Sequence, residues 1–292
     1  MPRRGASIKN TPKGPEPLGR GVPFLRSVTR RGPGDDRAFP FSVPVIHELS
    51  SLEFPTPVTF FVGENGSGKS TLLEGIASAA GLPVVGSADM AADATLDAQR
   101  QLGGALKLTW SRRTNRGFFL RAEDFFGFAK RLSAMRAEFK QRISDLEVEY
   151  AERSDWAKGL AMGPARASLA DMEQRYGVDL DANSHGQSFL RLFQSRFVPG
   201  GLYLMDEPEA PLSPQSQLAL MVMIQDMVAE DAQFIVATHS PLLLAFPGAT
   251  IYSFDSVPAA VVPYEELEHV TLTRNFLNAP ERYLRALRTS SD

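Results

Sequence analysis

The stretch Pro57-Val-Thr-Phe-Phe-Val62, followed directly by Gly63-Glu-Asn-Gly-Ser-Gly-Lys69-Ser70-Thr71, decides the fold of this chain. The first part is a short apolar run of β-branched and aromatic residues, which predicts a buried strand that ends at Gly63. The second part fits the pattern G-x-x-x-x-G-K-[ST], and a helix is predicted to begin near Lys69. A glycine-rich turn between a buried strand and a helix is the context that this phosphate-binding pattern requires.

Each residue type in this loop has a physical reason to bind a triphosphate. The glycines let the backbone bend so that successive N–H groups point at phosphate oxygens, and the helix N-terminus adds partial positive charge. Lys69 can then reach the β- and γ-phosphates, and the Ser70 hydroxyl is placed to bind Mg²⁺. The residues predicted to hold the nucleotide are Glu64, Asn65, Gly66, Ser67, Gly68, Lys69, Ser70 and Thr71.

A second element is the apolar run Leu202-Tyr-Leu-Met205, which predicts a strand ending in Asp206 and Glu207. This arrangement resembles a Walker B element, in which the first carboxylate lies beside Mg²⁺. Glu207 would face the attacking water and accept its proton, which favours hydrolysis of the nucleotide over its storage. The alternative is a solvated acidic turn, which the preceding phosphate-binding loop disfavours.

Two further segments gain meaning from their order along the chain. Asn183-Ser-His-Gly-Gln-Ser188 precedes an apolar segment and by itself indicates a plain helix cap. Ala237-Thr-His-Ser-Pro241 follows a predicted strand, so His239 falls at the edge where parallel sheets bind ligands. A lone histidine is more often structural. Only the order of all four segments along the chain favours a shared site.

Strands alternate with helices over most of the chain, which predicts an α/β fold with a mostly parallel sheet covered on both faces. Further strands are expected at Lys107–Trp110 and Phe118–Arg121, paired as a hairpin, and the stretch Leu277–Leu287 is expected to pack on the outside of the body.

Between these strands and the second acidic element, the pattern changes to long helices. Apolar residues at steps of three or four predict one amphipathic helix over Phe125–Tyr150. A second helix over Pro164–Tyr176 would cover its apolar stripe, with the proline in the first turn. We therefore expect a helical insert at about residues 124–183 within a domain that spans residues 38–292.

Composition limits the remaining classes of function. Lys plus Arg (31) and Asp plus Glu (34) nearly cancel, so no global basic field indicates nucleic acid. The absence of cysteine excludes disulfides and thiolate zinc sites and fits a reducing, cytoplasmic location. No apolar run approaches the ~20 residues of a membrane span. Residues 1–37 carry nine basic residues against three acidic ones and predict a loose, disordered basic arm, either solvated without a partner or anchoring nucleic acid or an acidic protein surface.

The order of the four motifs resembles that of ABC-class ATPases over about residues 40–255. Within the class, the chain is similar to stand-alone bacterial ATPases labelled as AAA-family and to RecF and chromosome-maintenance heads. The resemblance implies a P-loop NTPase fold and Mg²⁺-dependent ATP hydrolysis by a homodimer that sandwiches two ATP molecules. It also implies catalytic roles for Lys69, Glu207 and His239, and contacts from Ser184, Gly186 and Gln187 to the ATP of the opposite subunit.

Several positions depart from the family pattern. His185 stands where the signature usually has Gly, and Ser213 stands where the loop after the acidic pair usually has Asp. Glu123 is the candidate for a residue that usually is Gln and contacts Mg²⁺. Phe39 and Phe41 are candidates for stacking on adenine, with ordinary packing as the alternative.

The leading hypothesis is thus an ATPase that couples hydrolysis to a conformational change in a partner, an effector protein or nucleic acid. The alternative is a regulatory module in which ATP gates dimerisation without hydrolysis. A P-loop kinase is a third possibility, although it has no use for the Ser-x-Gly-Gln segment.

Overall fold

The computed structural model describes residues 23–32, 37–85, 95–176 and 185–289. The strands in these ranges are β1 (Leu25–Arg30), β2 (Leu52–Glu53), β3 (Val58–Val62), β4 (Val84–Val85), β5 (Leu106–Trp110), β6 (Gly117–Arg121), β7 (Leu202–Asp206), β8 (Gln233–Ala237), β9 (Thr250–Ser253) and β10 (Ala260–Val261). The helices are α1 (Pro44–His47), α2 (Lys69–Ala80), α3 (Thr95–Ala105), α4 (Ala122–Glu149), α5 (Asp155–Tyr176), α6 (His185–Arg196), α7 (Pro214–Ala229), α8 (Pro241–Leu244), α9 (Glu268–Asn278) and α10 (Pro280–Thr289).

The main sheet has seven strands in the order β10-β9-β3-β8-β7-β6-β4. All neighbouring pairs run parallel except β10 with β9. In the central pair, Phe60 lies opposite Val236. This confirms the predicted α/β fold with a mostly parallel sheet.

The main sheet is buried on both faces, and neighbouring residues of β3 show it. Phe60 packs into one core, together with residues of α6 and α7 such as Phe189 and Ile224. Phe61 points to the opposite core, together with residues of α2 such as Ile76. Because successive side chains alternate between faces, a strand covered on both sides must be apolar throughout. The continuous apolar run of the opening sequence has this cause.

The predicted hairpin between the strands at 107–110 and 118–121 is wrong. β5 pairs antiparallel with β1 in a separate three-stranded sheet, β2-β1-β5, whereas β6 lies between β7 and β4 in the main sheet. The burial patterns explain the difference. β5 alternates between buried or half-buried and exposed residues, as a sheet with one solvated face requires, but Phe118 to Leu120 of β6 are all buried.

The predicted basic arm of residues 1–37 is too long at its carboxyl end. Residues 25–30 form β1, in which Leu25 and Val28 are fully buried. The buried Gln233 of β8 accepts a hydrogen bond from the Leu25 N–H and donates one to the Leu25 carbonyl, both at 2.9 Å. These two bonds join the small sheet to the main sheet, so the strand cannot be a loose arm.

The helical insert forms an antiparallel hairpin of α4 and α5, as its apolar spacing predicts. Leu132, Leu146, Met162 and Met172 are buried between the helices. The predicted start of the second helix at Pro164 is wrong, because α5 begins at Asp155 and carries the proline inside. The ring removes one donor to the carbonyl four residues earlier, where Leu160 is 67% exposed and water can take the donor's place.

The carboxyl-terminal helices α9 and α10 lie outside the sheet, and many of their side chains are exposed, as expected for this end of the chain. Among the described helices, none is both long and apolar enough to cross a membrane.

Candidate active site

The carboxyl ends of the central strands bring the motif residues to one edge of the sheet. The loop Gly63–Gly68 joins β3 to α2, Asp206 ends β7, and His239 follows β8. Because these strands are parallel neighbours, residues more than a hundred positions apart meet here. The edge is therefore the candidate nucleotide site.

The glycines of the loop are required by geometry at two positions. Gly68 has φ 101°, and a Cβ there would lie 2.7 Å from a methyl of Val43 and 2.8 Å from one of Val45. Gly63 has φ 143°, and a Cβ would lie 3.0 Å from the Asp255 carboxylate. Both values of φ are unfavourable for other residues. The loop is thus packed between the segment before β2 and the end of β9.

Lys69 spans the loop from the first turn of α2. Its ammonium donates hydrogen bonds to the carbonyl oxygens of Gly63 at 2.6 Å and Glu64 at 2.9 Å. Burial lowers the pKa of Lys69, while the carboxylates of Asp206 and Glu207 oppose that shift. A poorly hydrated cation at the centre of a phosphate-binding loop has a strong attraction for an anionic ligand.

Asp206 is a buried carboxylate with an unused oxygen. Burial raises the pKa of Asp206 to about 6, although a hydrogen bond from the Ser70 hydroxyl acts in the opposite direction. Its Oδ1 is buried and has no hydrogen-bond partner among the described residues. Carboxylate and hydroxyl oxygens suit Mg²⁺, which binds through few protein ligands and keeps several waters. Asp206 and Ser70 therefore fit a Mg²⁺ site.

Glu207 and His239 face each other across the ends of β7 and β8. Glu207 Oε1 lies 3.8 Å from His239 Nε2, and both side chains are partly exposed. The backbone of Glu207 has φ 49°, a left-handed conformation that costs about 1 kcal/mol or more in a residue other than glycine. Its N–H donates to the Ala237 carbonyl at 2.9 Å, which fixes this turn. Strain at this residue is consistent with a functional requirement.

The segment after Glu207 is tied to the loop that carries His239. Glu209 accepts a hydrogen bond from the His239 backbone N–H at 2.7 Å. Burial raises the pKa of Glu209, and the hydrogen bond from His239 partly offsets the shift. Ser213 caps α7 by accepting from the Ser216 N–H at 3.2 Å, which gives this departure from the family pattern a local structural role.

Two residues near the loop were not predicted from the sequence. Asp255, just after β9, accepts a hydrogen bond from the Glu64 N–H at 2.7 Å. His269, on α9, has a buried Nε2, and burial together with nearby His239 lowers the pKa of its ring. The sequence does carry a signal for Asp255, since this residue directly follows the apolar run 251–254, and residues after a parallel strand lie at the ligand-binding edge. No local pattern marks His269, because α9 reaches the site only through the tertiary fold.

The roles of four other predicted site residues stay predictions. Glu123 lies in the first turn of α4, directly after β6, whose last residue Arg121 forms an ion pair with Glu74 of α2. Gly186 and Gln187 lie in the first turn of α6, and Ser184 is outside the described residues.

The two aromatic candidates for adenine differ in their surroundings. Phe39 is 59% exposed, so its ring is open to solvent. Phe41 is partly buried against the core, and the Arg30 guanidinium lies 5.1 Å from the centre of its ring. The alternative of ordinary packing therefore holds for Phe41, and Phe39 stays a candidate.

Comparison with known proteins gives two partial family matches. Residues 41–85 match a model described as "AAA domain", and residues 188–245 match one described as "AAA domain, putative AbiEii toxin, Type IV TA system". The first match contains the phosphate-binding loop, and the second contains Asp206, Glu207 and His239. No curated protein matches the sequence.

Solved structures with some similarity to this chain include an ATP-binding cassette and two SMC head domains. An ATP-binding cassette of an ABC transporter in its ADP conformation is 16% identical, with a TM-score of 0.42 over 88% of this chain and 96% of the other. The SMC head domain from Thermotoga maritima is 15% identical, with a TM-score of 0.37 over 82% and 98%. The Smc head from Pyrococcus furiosus bound to the C-terminal domain of ScpA is 13% identical, with a TM-score of 0.42 over 91% and 100%.

These structural similarities are low. The relation of the chain to AAA domains therefore rests on its motifs and on the two family matches. The two matched segments contribute opposite sides of one sheet edge, the phosphate-binding loop on β3 and the acidic and histidine residues on β7 and β8. The chain therefore carries a P-loop motif and two segments that match AAA-domain models, and the fold brings these together at one sheet edge.

Proposed function

We propose that the protein is a Mg²⁺-dependent ATPase whose catalytic head dimerises around ATP and couples hydrolysis to movement of a partner. The observation that carries this proposal is the pair of Glu207 and His239, 3.8 Å apart at the edge that also holds Lys69 and Asp206. A carboxylate and an imidazole beside a phosphate-binding loop can handle the proton of an attacking water.

The roles of the side chains follow from their positions. The loop N–H groups and Lys69 bind the phosphates, while Ser70 and Asp206 would hold Mg²⁺, which neutralises charge on the phosphate oxygens. Glu207 orients a water and accepts its proton as the bond to the γ-phosphoryl group breaks. His239 contacts the γ-phosphate and orients Glu207 from the other side. Their partial exposure leaves room for the water to enter.

The dimer and the partner form the second part of the proposal. Ser184, Gly186 and Gln187 complete the site of the opposite subunit, so that loss of the γ-phosphate would release the two heads. The hairpin of α4 and α5 is the element that would transmit this movement to an effector protein. The other candidate partner is nucleic acid, which the basic residues before β1 would bind.

The test is the variant Glu207→Gln, which keeps the size of the side chain but cannot accept the proton. We expect ATP affinity within about 3-fold of wild type and phosphate release at least about 100-fold slower. The variant should also form an ATP-dependent dimer, measured by light scattering. Glu149→Gln, on the exposed end of α4, is the matched control and should behave as wild type.

Unchanged phosphate release in Glu207→Gln would overturn the assignment of this residue. A wild-type protein that dimerises on ATP but releases no phosphate at any protein concentration would instead be the regulatory module.

A further inference from the structure

We propose that Glu209 is a positioning residue that fixes the loop of His239 against the turn of Glu207. This inference rests on the proposed function, because it explains how the two groups that flank the attacking water keep their separation. Glu209 itself touches neither the nucleotide-binding loop nor Mg²⁺ ligands through any of its described hydrogen bonds.

The contact between Glu209 and His239 is short and crosses between strands. The carboxylate Oε1 accepts the His239 backbone N–H at 2.7 Å, although the residues are 30 positions apart. A hydrogen bond from a backbone N–H to a carboxylate is among the stronger ones available to a protein. Burial also raises the pKa of this carboxyl group, because desolvation penalises its charged form.

Three other hydrogen bonds connect the same part of the fold. The Glu207 N–H donates to the Ala237 carbonyl at 2.9 Å. The Ser240 hydroxyl donates to Gln217 Oε1 at 2.6 Å, and Gln217 Nε2 donates to the Leu212 carbonyl at 3.2 Å. The Glu209 bond lies between the first of these and the other two in sequence. Together they connect the acidic turn, α7 and the histidine loop into one hydrogen-bonded unit.

The importance of this unit lies in the 3.8 Å separation of Glu207 and His239. A displacement of about 1 Å in a catalytic group can slow a reaction about 100-fold. Both side chains are partly exposed, so packing alone does not hold them. Hydrogen bonds of the main chain therefore set the distance between the Glu207 and His239 side chains. Glu209 accepts the bond from the His239 backbone.

Steady-state kinetics on the full chain tests this role. Glu209→Ala is expected to lower kcat about 10- to 100-fold and to leave KM within about 3-fold, because it shifts His239 while Lys69 and the loop N–H groups keep their phosphate contacts. Glu209→Gln is expected to stay within about 3-fold of wild type, since its amide oxygen still accepts the N–H. Glu230→Ala, at the exposed end of α7, is the matched control.

A double-variant cycle separates positioning from general damage. If Glu209 acts through His239, Glu209→Ala should slow a His239→Ala protein by less than about 3-fold. Multiplying effects in the double variant, or an equal loss in Glu209→Gln and Glu209→Ala, would overturn the proposal. Should Glu209→Ala fail to fold, Glu209→Asp withdraws the acceptor by one methylene group and is expected to lower kcat at least about 5-fold.

A spectroscopic measurement tests the contact between Glu209 and the His239 backbone without relying on hydrolysis. The chain has 4 histidines, so the ring signal of His239 can be assigned by NMR from single His→Gln variants. Addition of Mg²⁺ and the non-hydrolysable analogue AMP-PNP should shift this signal in wild type and Glu209→Gln, and shift it differently in Glu209→Ala. The same shift in all three proteins would overturn the positioning role of Glu209. If the expected shifts appear but the protein releases no phosphate, only the proposed hydrolysis is overturned.

Discussion

The nucleotide edge of the sheet and the outer part of the α4–α5 hairpin hold their charged groups in opposite ways, whereas Arg136 and Glu173, elsewhere in the hairpin, form a less exposed pair. At the edge, Lys69 is 4% exposed and Asp206 carries a buried oxygen without a partner. In the hairpin, Arg166 and Glu147 form an ion pair at 3.0 Å with both side chains about half exposed. Buried charge is costly and is kept where chemistry needs it, whereas solvated pairs contribute little. This difference fits the proposed function, in which the edge carries the chemistry and the hairpin contacts a partner.

The apolar surface of the two regions supports the same division. Near the tip of the hairpin, Val148 and Trp156 are each 77% exposed. At the edge, β3 and β8 are buried throughout, and β7 is buried up to Asp206 at its end. A rigid core therefore supports the site, while the tip of the hairpin leaves large apolar side chains in solvent.

The largest expected difference between the regions is in nucleotide binding. Lys69→Ala removes charge-assisted hydrogen bonds to phosphate of about 1.5–3 kcal/mol each, so ATP affinity should fall about 100-fold or more. Lys130→Ala, on an exposed position of α4, should leave affinity within about 2-fold. Isothermal titration calorimetry with Mg²⁺ and AMP-PNP measures both. Equal loss in the two variants would break the comparison.

The second prediction concerns the stability of the hairpin. Leu146 is 6% exposed, and Leu146→Ala is expected to cost about 2–4 kcal/mol of local stability. Faster hydrogen exchange should appear in α4 and α5 only, with ATP affinity unchanged. If exchange rises equally in β3 and β7, the hairpin and the sheet unfold as one unit and the regions are not separate.

The third prediction uses the ionisation of Asp206 in metal-free protein. Burial raises the pKa of Asp206 from its ordinary 3.8 to about 6, so the folded state holds this proton more tightly than the unfolded state. The tighter binding of this proton stabilises the folded state fully below pH 3.8, and this stabilisation is lost as the pH rises to about 6.

Asp206→Asn removes the buried charge and should raise the free energy of unfolding at pH 7.5 by about 1–3 kcal/mol in EDTA. The same variant should lose phosphate release. Urea denaturation at pH 5 and pH 7.5 measures the effect, and Asp145→Asn, exposed on α4, is the control. A variant less stable than wild type at pH 7.5 would contradict the assigned environment.

The smallest effect is expected from the solvated ion pair. Arg166→Ala should change the free energy of unfolding by about 0–1 kcal/mol, and added salt should remove the difference. A loss above about 2 kcal/mol would show that the hairpin also depends on its charges and would narrow the contrast with the edge.

The sequence alone predicts the candidate site where its chemistry depends on neighbours along the chain. The loop before Lys69, the acidic pair after β7 and His239 after β8 each follow a strand, and their convergence was predictable from the parallel arrangement. The pairing of β5 was not predictable, because the residue pattern of a short amphipathic strand does not specify which strand it pairs with. Local residue pattern likewise could not show that Glu209 reaches the His239 backbone, since that contact depends on the spacing of β7 and β8.

The amino-acid sequence by itself determined the class of the fold, the phosphate-binding loop and the two long helices, because hydrophobic period and glycine placement act over short distances. Only the tertiary structure decided that residues 25–30 form a strand held by Gln233, that Asp255 accepts the Glu64 N–H, and that Glu209 accepts the His239 N–H. These contacts join residues 30 to 208 positions apart. Their partners are chosen by packing of the whole chain, which no local pattern records.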